Sequence, residues 1–155
     1  MVNRINIFQP DAPMSRAMLV TTLYRLVGEP KPTVKQPVFP DVPVWTWYSD
    51  AVAWAYESGL AEGTGGGFDP NGPLTRESMA VLLCRFSALL ELDASGGSLS
   101  GFPDADSVSP WAADAVGWAV KAGVIRGADG RLNPSGGTSR AEAAAMLYRF
   151  LTLEG

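Results

Sequence analysis

A hydroxyl residue followed by arginine opens the same kind of apolar segment three times in this chain. The three pairs are Ser15-Arg16, Thr75-Arg76 and Ser139-Arg140. A hydroxyl side chain before a helix is a typical N-cap, and the helix start carries N–H donors without intrahelical partners. An arginine in the first turn adds a planar fork that binds a carboxylate in bidentate fashion, near the positive end of the helix dipole. We therefore expect anion or sugar binding by the three arginines of these pairs.

An alternative interpretation gives these arginines no ligand, since any single first-turn arginine can be solvated or paired with a nearby carboxylate. Three copies in one capping context favour binding. The hydroxyl residues Ser15, Thr75 and Ser139 are expected to be structural caps. Glu142 belongs with them, because Ser139-Arg-Ala-Glu142 is a capping box.

A second element occurs twice, as "DAVAWAYESGLAEG" at 50–63 and "DAVGWAVKAGVIRG" at 114–127. An "FPD" and a tryptophan precede each copy; the aspartates are Asp41 and Asp104, and the tryptophans are Trp47 and Trp111. The chain therefore holds two full units and, at its front, the second half of another. Each unit ends with an F/L-x-P segment followed by the hydroxyl–arginine helix.

The repeated segments predict an all-α fold of helix pairs joined by Gly/Pro-rich loops. Apolar residues recur at helical spacing in both segments of a unit, and a glycine follows the first of them. A single pair is too small to bury its own apolar face, so the pairs must pack together into one bundle. Trp54 and Trp118 lie mid-helix and are expected in the core, and Cys84 is expected to be a packing residue.

Several other repeated residues leave two roles open. The tryptophans before the first helix, Trp47 and Trp111, fit either the rim of the core or the wall of a groove that stacks on a sugar ring. The aspartates of FPD, Asp41 and Asp104, fit either a loop anchor bonded to backbone N–H groups or a ligand contact. A second set of arginines lies nine residues after the first and half a turn around the helix, and we expect structural or surface roles for Arg25, Arg85 and Arg149.

Composition excludes several classes of function. The net charge of −4 and the pI near 4.7 argue against binding of duplex nucleic acid, and no apolar run is long enough to insert into a membrane. The chain has no histidine, which excludes Ser–His–Asp hydrolases and zincins, and Cys84 is its one cysteine. The Asp-rich turns do not fit a calcium loop. We expect no cofactor and no metal ion.

A carboxylate-based hydrolase would need a pair of carboxylates facing across a cleft. Glu77 and Glu142 instead stand in the first turns of their helices. We therefore expect no enzymatic activity.

The ordered set of FPDV (39–42), D-A-V-x-W-A, F-D-P (68–70), LTRE (74–77) and TSRAE (138–142) resembles the S-layer homology domain. The resemblance implies modules at 29–92 and 93–155, the second half of a further module at 1–28, and a three-lobed pseudo-trimer with ligand grooves between neighbouring modules. Arg76 and Arg140, and less completely Arg16, match the arginine of the family's T-R-A-E motif. Copy two has Glu77-Ser78, and copy one has Ala17-Met18, in place of Ala-Glu.

The family anchors proteins non-covalently to the bacterial cell wall. The implied partner is a secondary cell-wall polysaccharide, commonly with pyruvylated N-acetylmannosamine. The implied location is extracellular, on the cell wall or S-layer of a bacterium with a Gram-positive type envelope. The start of the sequence has no apolar signal-peptide core, which fits a piece of a longer exported protein or else a cytosolic one.

Two further expectations concern interactions. The alternative function is a structural or protein-interaction module in surface-layer assembly or partner docking. The half unit at the front also predicts that the helix at 15–27 lacks a neighbour, with Leu19, Leu23 and Leu26 partly uncovered. We expect self-association through this N-terminal lobe, and an incomplete groove beside Arg16.

Overall fold

The structure, a computed structural model, describes residues 9–62, 66–127 and 129–153. These residues form five α-helices: α1 (Arg16–Leu26), α2 (Ser49–Glu57), α3 (Arg76–Leu89), α4 (Ala113–Lys121) and α5 (Arg140–Leu151). Two short 3₁₀ turns, Ala105–Ser107 and Pro110–Ala112, precede α4. The described part of the chain has isolated β-bridges but no strand, and the all-α prediction is confirmed. None of its helices is long and apolar enough to cross a membrane.

The helices α1, α3 and α5 begin at the three hydroxyl–arginine pairs. Each hydroxyl oxygen accepts from the backbone N–H three residues later: Met18 for Ser15, Ser78 for Thr75, and Glu142 for Ser139, each at 3.1 Å. At α5 a carboxylate oxygen of Glu142 also accepts from the Ser139 N–H at 2.9 Å, which completes a capping box. The helix starts are thus fixed by local bonds.

The segments just before these caps meet in a closed ring of backbone hydrogen bonds. The Met14 N–H donates to the Thr138 carbonyl at 2.8 Å, the Thr138 N–H to the Leu74 carbonyl at 2.8 Å, and the Leu74 N–H to the Met14 carbonyl at 3.1 Å. Each repeat copy thereby donates to one of the other two and accepts from the remaining one. The predicted three-lobed pseudo-trimeric packing goes beyond this ring and stays a prediction.

The helices pack across repeat units, with α1 against α2 and α3 against α4. In the first pair the rings of Tyr24 and Trp54 lie 5.5 Å apart. Phe150 of α5 reaches both Phe86 and Trp118, at 5.9 and 6.3 Å between ring centroids. The two mid-helix tryptophans, Trp54 and Trp118, are buried, which confirms their core assignment.

The prediction that α1 lacks a neighbour is wrong. Leu19 and Leu23 have no exposed surface, and of the three residues named for this stripe Leu26 alone is exposed. The physical reason is that α2, which follows α1 in the chain, covers it. The helix pairs that pack tightly therefore straddle the predicted module boundaries at 28/29 and 92/93.

Candidate functional site

Two surface grooves lie where one repeat copy meets the next. The first, groove A, encloses about 360 Å³ and is lined by Arg16, Ala61, Glu62, Ser78, Val81, Leu82, Arg85 and Trp111. The second, groove B, encloses about 170 Å³ and is lined by Arg76, Ile125, Arg126, Gly127, Glu142, Ala145, Met146 and Arg149. In each, an arginine from the first turn of one helix faces the side of the next hydroxyl–arginine helix.

The two grooves are built from equivalent residues. Arg16 and Arg76 are 60 positions apart, which is the spacing between the first two hydroxyl–arginine pairs. Arg85 and Arg149 are 64 positions apart, the spacing between the second and third pairs, and the loop and helix residues of the grooves follow the same shift of 64. The repeat therefore places equivalent positions around both grooves, although the side chains at several of them differ and groove A also includes Trp111.

The helix N–H groups are not available to a ligand, contrary to the sequence-based expectation. The N–H groups of Arg16, Arg76 and Arg140 donate to the carbonyls of Gly72, Gly136 and Ala12, at 3.2, 3.0 and 2.8 Å. The next N–H groups donate to Pro70, Pro134 and Pro10, and the third ones to the capping hydroxyls. These contacts between copies use the helix starts, so anion recognition falls to the side chains.

Arg16 is held within the wall of groove A. Its Nε–H donates to the Phe68 carbonyl at 2.9 Å, and the guanidinium carbon lies 4.8 Å from the centre of the Phe68 ring. Burial lowers the pKa of Arg16, while Asp69 and Asp41 act in the opposite direction. The ordinary pKa of arginine is so high that the group stays cationic at neutral pH.

Arg76 occupies the equivalent place in groove B but has a different partner. Its guanidinium forms an ion pair with Glu142 and donates to the Gly137 carbonyl at 3.2 Å. The hydrogen bond from the Ser139 N–H has the largest effect and lowers the pKa of Glu142; burial opposes it, and Arg76 adds to the lowering. Glu142 is therefore ionised at neutral pH and links the cap of α5 to the groove.

Arg85 and Arg149, for which the sequence predicts structural or surface roles, have such a structural role and in addition line the grooves, which the sequence did not predict. Arg85 donates to the Leu60 carbonyl at 3.1 Å, and Arg149 to the Val124 carbonyl at 3.2 Å. Each thus holds the loop that forms the opposite wall and also presents a second guanidinium to the groove. The signal was present in the sequence, since these arginines repeat as regularly as the first set.

Arg140 lies in a wider, more open depression with Met14, Met18 and Thr22. Among the described residues, this depression has no counterpart of the loop at 61–62 or 125–126. The expectation of an incomplete groove beside Arg16 is wrong, because Ala61 and Glu62 form a loop wall opposite Arg16. The reason is again the packing across units: groove A takes its loop from the second copy, which is complete.

The two exposed tryptophans of the repeat differ in position. Trp111, about 62% exposed, lines groove A. Trp47 is about 63% exposed, and its ring meets the edge of Tyr48 at 4.9 Å without lining groove A or B. Trp111 therefore presents an exposed aromatic ring to groove A, and Trp47 does not.

The FPD aspartates hold the loop before the hydroxyl–arginine helix. Asp41 accepts from the N–H groups of Phe68 and Asp69, both within 3.1 Å, and Asp104 accepts from those of Leu132 and Asn133 at 2.9 and 2.8 Å. Burial raises the pKa of Asp41, but these bonds outweigh it and the pKa is lowered. Neither aspartate lines groove A or B, so their positions favour the loop-anchoring alternative.

Comparison with known proteins agrees with the repeated motifs. The family model of the S-layer homology domain matches residues 38–80 and 101–144. The chain belongs to the S-layer homology domain family. Both matched segments run from just before the FPD motif into the first turns of α3 or α5, so they include Arg76, Arg140 and both loop-anchoring aspartates. In surface-layer and cell-surface proteins this domain implies anchoring at the cell wall.

The names of the relatives include both polysaccharide-degrading enzymes and surface-layer proteins. An amylopullulanase of Thermoanaerobacterium thermosulfurigenes is 32% identical over 150 residues, which is 96% of the chain and 8% of that protein. The S-layer protein sap of Bacillus anthracis is 28% identical over 95% of the chain and 18% of its own length. The surface-layer 125 kDa protein of Lysinibacillus sphaericus is 38% identical over 72% of the chain and 10% of its own length. The chain thus spans a minor part of each relative.

Proposed function

We propose that this chain anchors a protein to the bacterial cell wall by binding an anionic secondary cell-wall polysaccharide in grooves A and B. The observation that carries the proposal is the twofold occurrence of a groove that brings together a first-turn arginine of one repeat copy (Arg16 or Arg76) and a later helix arginine of the next (Arg85 or Arg149). If the chain had one such groove, its arginines could be explained by a role in packing alone. Two equivalent grooves in a family of wall-anchoring modules favour a repeating polymer as ligand.

The side chains of the grooves suit a sugar that bears a carboxylate. In groove A, Arg16 and Arg85 supply two cations, and Trp111 supplies an apolar face for a ring. A pyruvate ketal on N-acetylmannosamine exposes such a carboxylate beside an apolar sugar face. A charge-assisted hydrogen bond of this kind is worth about 1.5–3 kcal/mol. The net charge of −4 is no obstacle, because the arginines act locally.

The closed ring formed by Met14, Leu74 and Thr138 supports a three-lobed arrangement in which each lobe borders the next. In such an arrangement grooves A and B occupy two of three inter-lobe positions, and the open depression beside Arg140 occupies the third, which we do not propose as a binding site. The chain's own role would then be binding without catalysis. The enzyme names among the relatives would belong to the rest of those proteins, because the match covers 8% of the amylopullulanase and 13% of an exoglucanase.

Location follows from the same proposal. A wall-bound polysaccharide is accessible from outside the cell, so the chain would act on the surface of a bacterium with a Gram-positive type envelope. Names such as "S-layer protein" and "Cell surface protein" among the relatives support this placement.

A retention experiment tests the proposal. The full chain is incubated with purified cell-wall sacculi that carry their polysaccharide, with sacculi stripped of it, and with sacculi whose pyruvate has been removed by mild acid. We expect retention in the first case alone. Equal retention by stripped sacculi would contradict polysaccharide binding, whereas loss on stripping but not on pyruvate removal would contradict the carboxylate as the recognised group.

A further inference from the structure

Glu77 is a buried carboxylate in the first turn of α3 that has no counterpart in the other two hydroxyl–arginine helices. It is about 6% exposed, and the equivalent positions hold Ala17 in α1 and Ala141 in α5. The first-turn glutamate of α5 is Glu142, which stands one position later and lines groove B. A shift of one position turns a side chain by about 100° around a helix. The carboxylate of α3 is therefore turned away from groove A, and Ser78 lines the groove in its place.

The Glu77 carboxylate accepts two hydrogen bonds from Ser109, the residue before the 3₁₀ turn Pro110–Ala112. Its Oε1 accepts from the Ser109 N–H at 2.9 Å, and its Oε2 accepts from the Ser109 hydroxyl at 2.7 Å. A buried carboxylate needs donors for its oxygens, and bonds to an ionised group are stronger than neutral ones. The turn before α4 is thus tied to the first turn of α3.

This contact fixes one side of a turn whose middle residue is Trp111. On the other side Ala112 has no exposed surface, and its N–H donates to the Ser109 carbonyl at 2.9 Å. Trp111 stands between these two points, with its ring exposed and lining groove A. The backbone on both sides of Trp111 is therefore held in place, although the ring itself is not packed into the core.

The corresponding turn in the second repeat unit lacks the carboxylate. The helix α2 packs on α1 as α4 packs on α3. The position of Glu77 is occupied there by Ala17, which has no side-chain acceptor, and the position of Ser109 is occupied by Trp45. Trp45 is about 82% exposed. The turn before α2 is therefore not tied to α1 by this contact.

The tryptophans of the two turns differ in the same way. The helix α1 lines the depression beside Arg140 with Met18 and Thr22, which stand 60 positions before two residues of groove A. Trp47 does not line that depression, whereas its counterpart Trp111 lines groove A. The tryptophan thus reaches the groove where the carboxylate is present, and it does not where alanine replaces the carboxylate.

We propose that Glu77 is a positioning residue of groove A, which holds Trp111 at the groove through Ser109 so that its ring can stack on a sugar. The role of the ring in binding rests on the proposed function, whereas the positioning itself needs no ligand. Among the described residues that line groove B there is no aromatic one. Stacking is therefore a feature of groove A, and Glu77 makes the two grooves differ in the ligand face that they recognise.

A double-mutant cycle tests whether Glu77 acts through Trp111. Glu77→Ala, Trp111→Ala and their combination are made in an Arg76→Ala background, where groove B is disabled, and a pyruvylated polysaccharide fragment is titrated by calorimetry. Folding is checked by thermal melting. Each single change should weaken binding roughly two- to tenfold, and the combination should cost no more than Trp111→Ala alone. Losses that multiply would overturn the proposal, and so would an unchanged affinity in Glu77→Ala.

Fluorine NMR provides a readout that does not depend on the ligand. The chain is labelled with 5-fluorotryptophan, and the Trp111 signal is assigned with Trp111→Phe. Glu77→Ala should shift this signal and leave that of buried Trp54 in place. Ser109→Ala should shift it in the same direction, and it gives the same test should Glu77→Ala not fold. Ser109→Thr, which keeps the hydroxyl, should preserve the signal.

The two readouts separate this proposal from the proposed function. A fragment that does not bind the Arg76→Ala chain at all would contradict ligand binding in groove A, and the fluorine spectrum would still show whether Glu77 holds Trp111. A Trp111 signal that is the same in the parent, Glu77→Ala and Ser109→Ala would overturn the positioning role, whatever the ligand does.

Discussion

Arg76 of the second repeat copy is paired with Glu142, the residue that completes the helix cap of the third copy. In groove A the equivalent positions hold Arg16 and Ser78. A ligand carboxylate that enters groove B must therefore compete with Glu142 for the guanidinium, whereas groove A has a hydroxyl at that place. The same repeat thus produces two grooves with different electrostatics.

Glu142→Gln should strengthen binding of a carboxylate ligand in groove B. Glutamine at this position keeps the capping-box geometry but removes the competing negative charge. We expect an increase in affinity of about three- to tenfold, which corresponds to roughly 0.7–1.4 kcal/mol. Calorimetric titration in an Arg16→Ala background, where groove A is disabled, isolates this effect. Unchanged or weaker binding would show that Glu142 does not oppose the ligand.

The same substitution should change how stability depends on pH. The Ser139 N–H and Arg76 lower the folded-state pKa of Glu142, so its contribution to the free energy of unfolding is present above the ordinary glutamate pKa of about 4.3. The contribution should shrink as the pH falls through that value and vanish below the lowered pKa. Urea melts of the parent and Glu142→Gln at pH 7, 5 and 3 should give curves that converge in acid. A difference that is constant across this range would contradict the assignment.

The helix starts show what the sequence predicts well. Ser15, Thr75 and Ser139 cap their helices through bonds that span three residues, and such local geometry can be read from residue types alone. The two buried mid-helix tryptophans follow from periodicity in the same way.

The sequence does not predict which residues line the grooves, because that depends on which helices pack against each other. Arg85 lies 69 positions from Arg16 and shares groove A with it, since the second copy packs beside the first. Periodicity along one helix does not report this pairing, so the sequence predicts the structural role of Arg85 but not its place in a groove. The same reason explains why the sequence predicts an uncovered α1, whereas α2 of the following unit packs against it.

Ser139→Ala should lower stability without affecting the ligand. The hydroxyl accepts from the Glu142 N–H and does not line either groove. Loss of an N-cap costs about 0.5–2 kcal/mol. For a chain of this size that is a fall in Tm of roughly 1–8 °C. Thr75→Ala is the matched substitution at α3 and should behave alike. An unchanged melting curve together with lost binding would reverse the assignment from structure to ligand contact.

Trp111→Ala should weaken ligand binding, whereas Trp47→Ala should not. The two residues occupy the same repeat position and are almost equally exposed, but Trp111 alone of the two lines groove A. Removing the ring should cost groove A roughly two- to tenfold in affinity, by analogy with other aromatic contacts of about 0.5–1.5 kcal/mol. Titration of both variants with one ligand preparation provides the comparison. Equal losses for the two would mean that the ligand does not distinguish the groove from the rest of the surface.

The central claim is that grooves A and B bind the polysaccharide through Arg16 and Arg76. The most direct measurement is calorimetric titration of a pyruvylated polysaccharide fragment into the parent chain, Arg16→Ala, Arg76→Ala, the double variant and Arg140→Ala, with folding checked by thermal melting. The account predicts two sites for the parent, one for each single variant with folding retained, no measurable binding for the double variant, and a parent-like isotherm for Arg140→Ala. A double variant that folds normally and binds as tightly as the parent would contradict it.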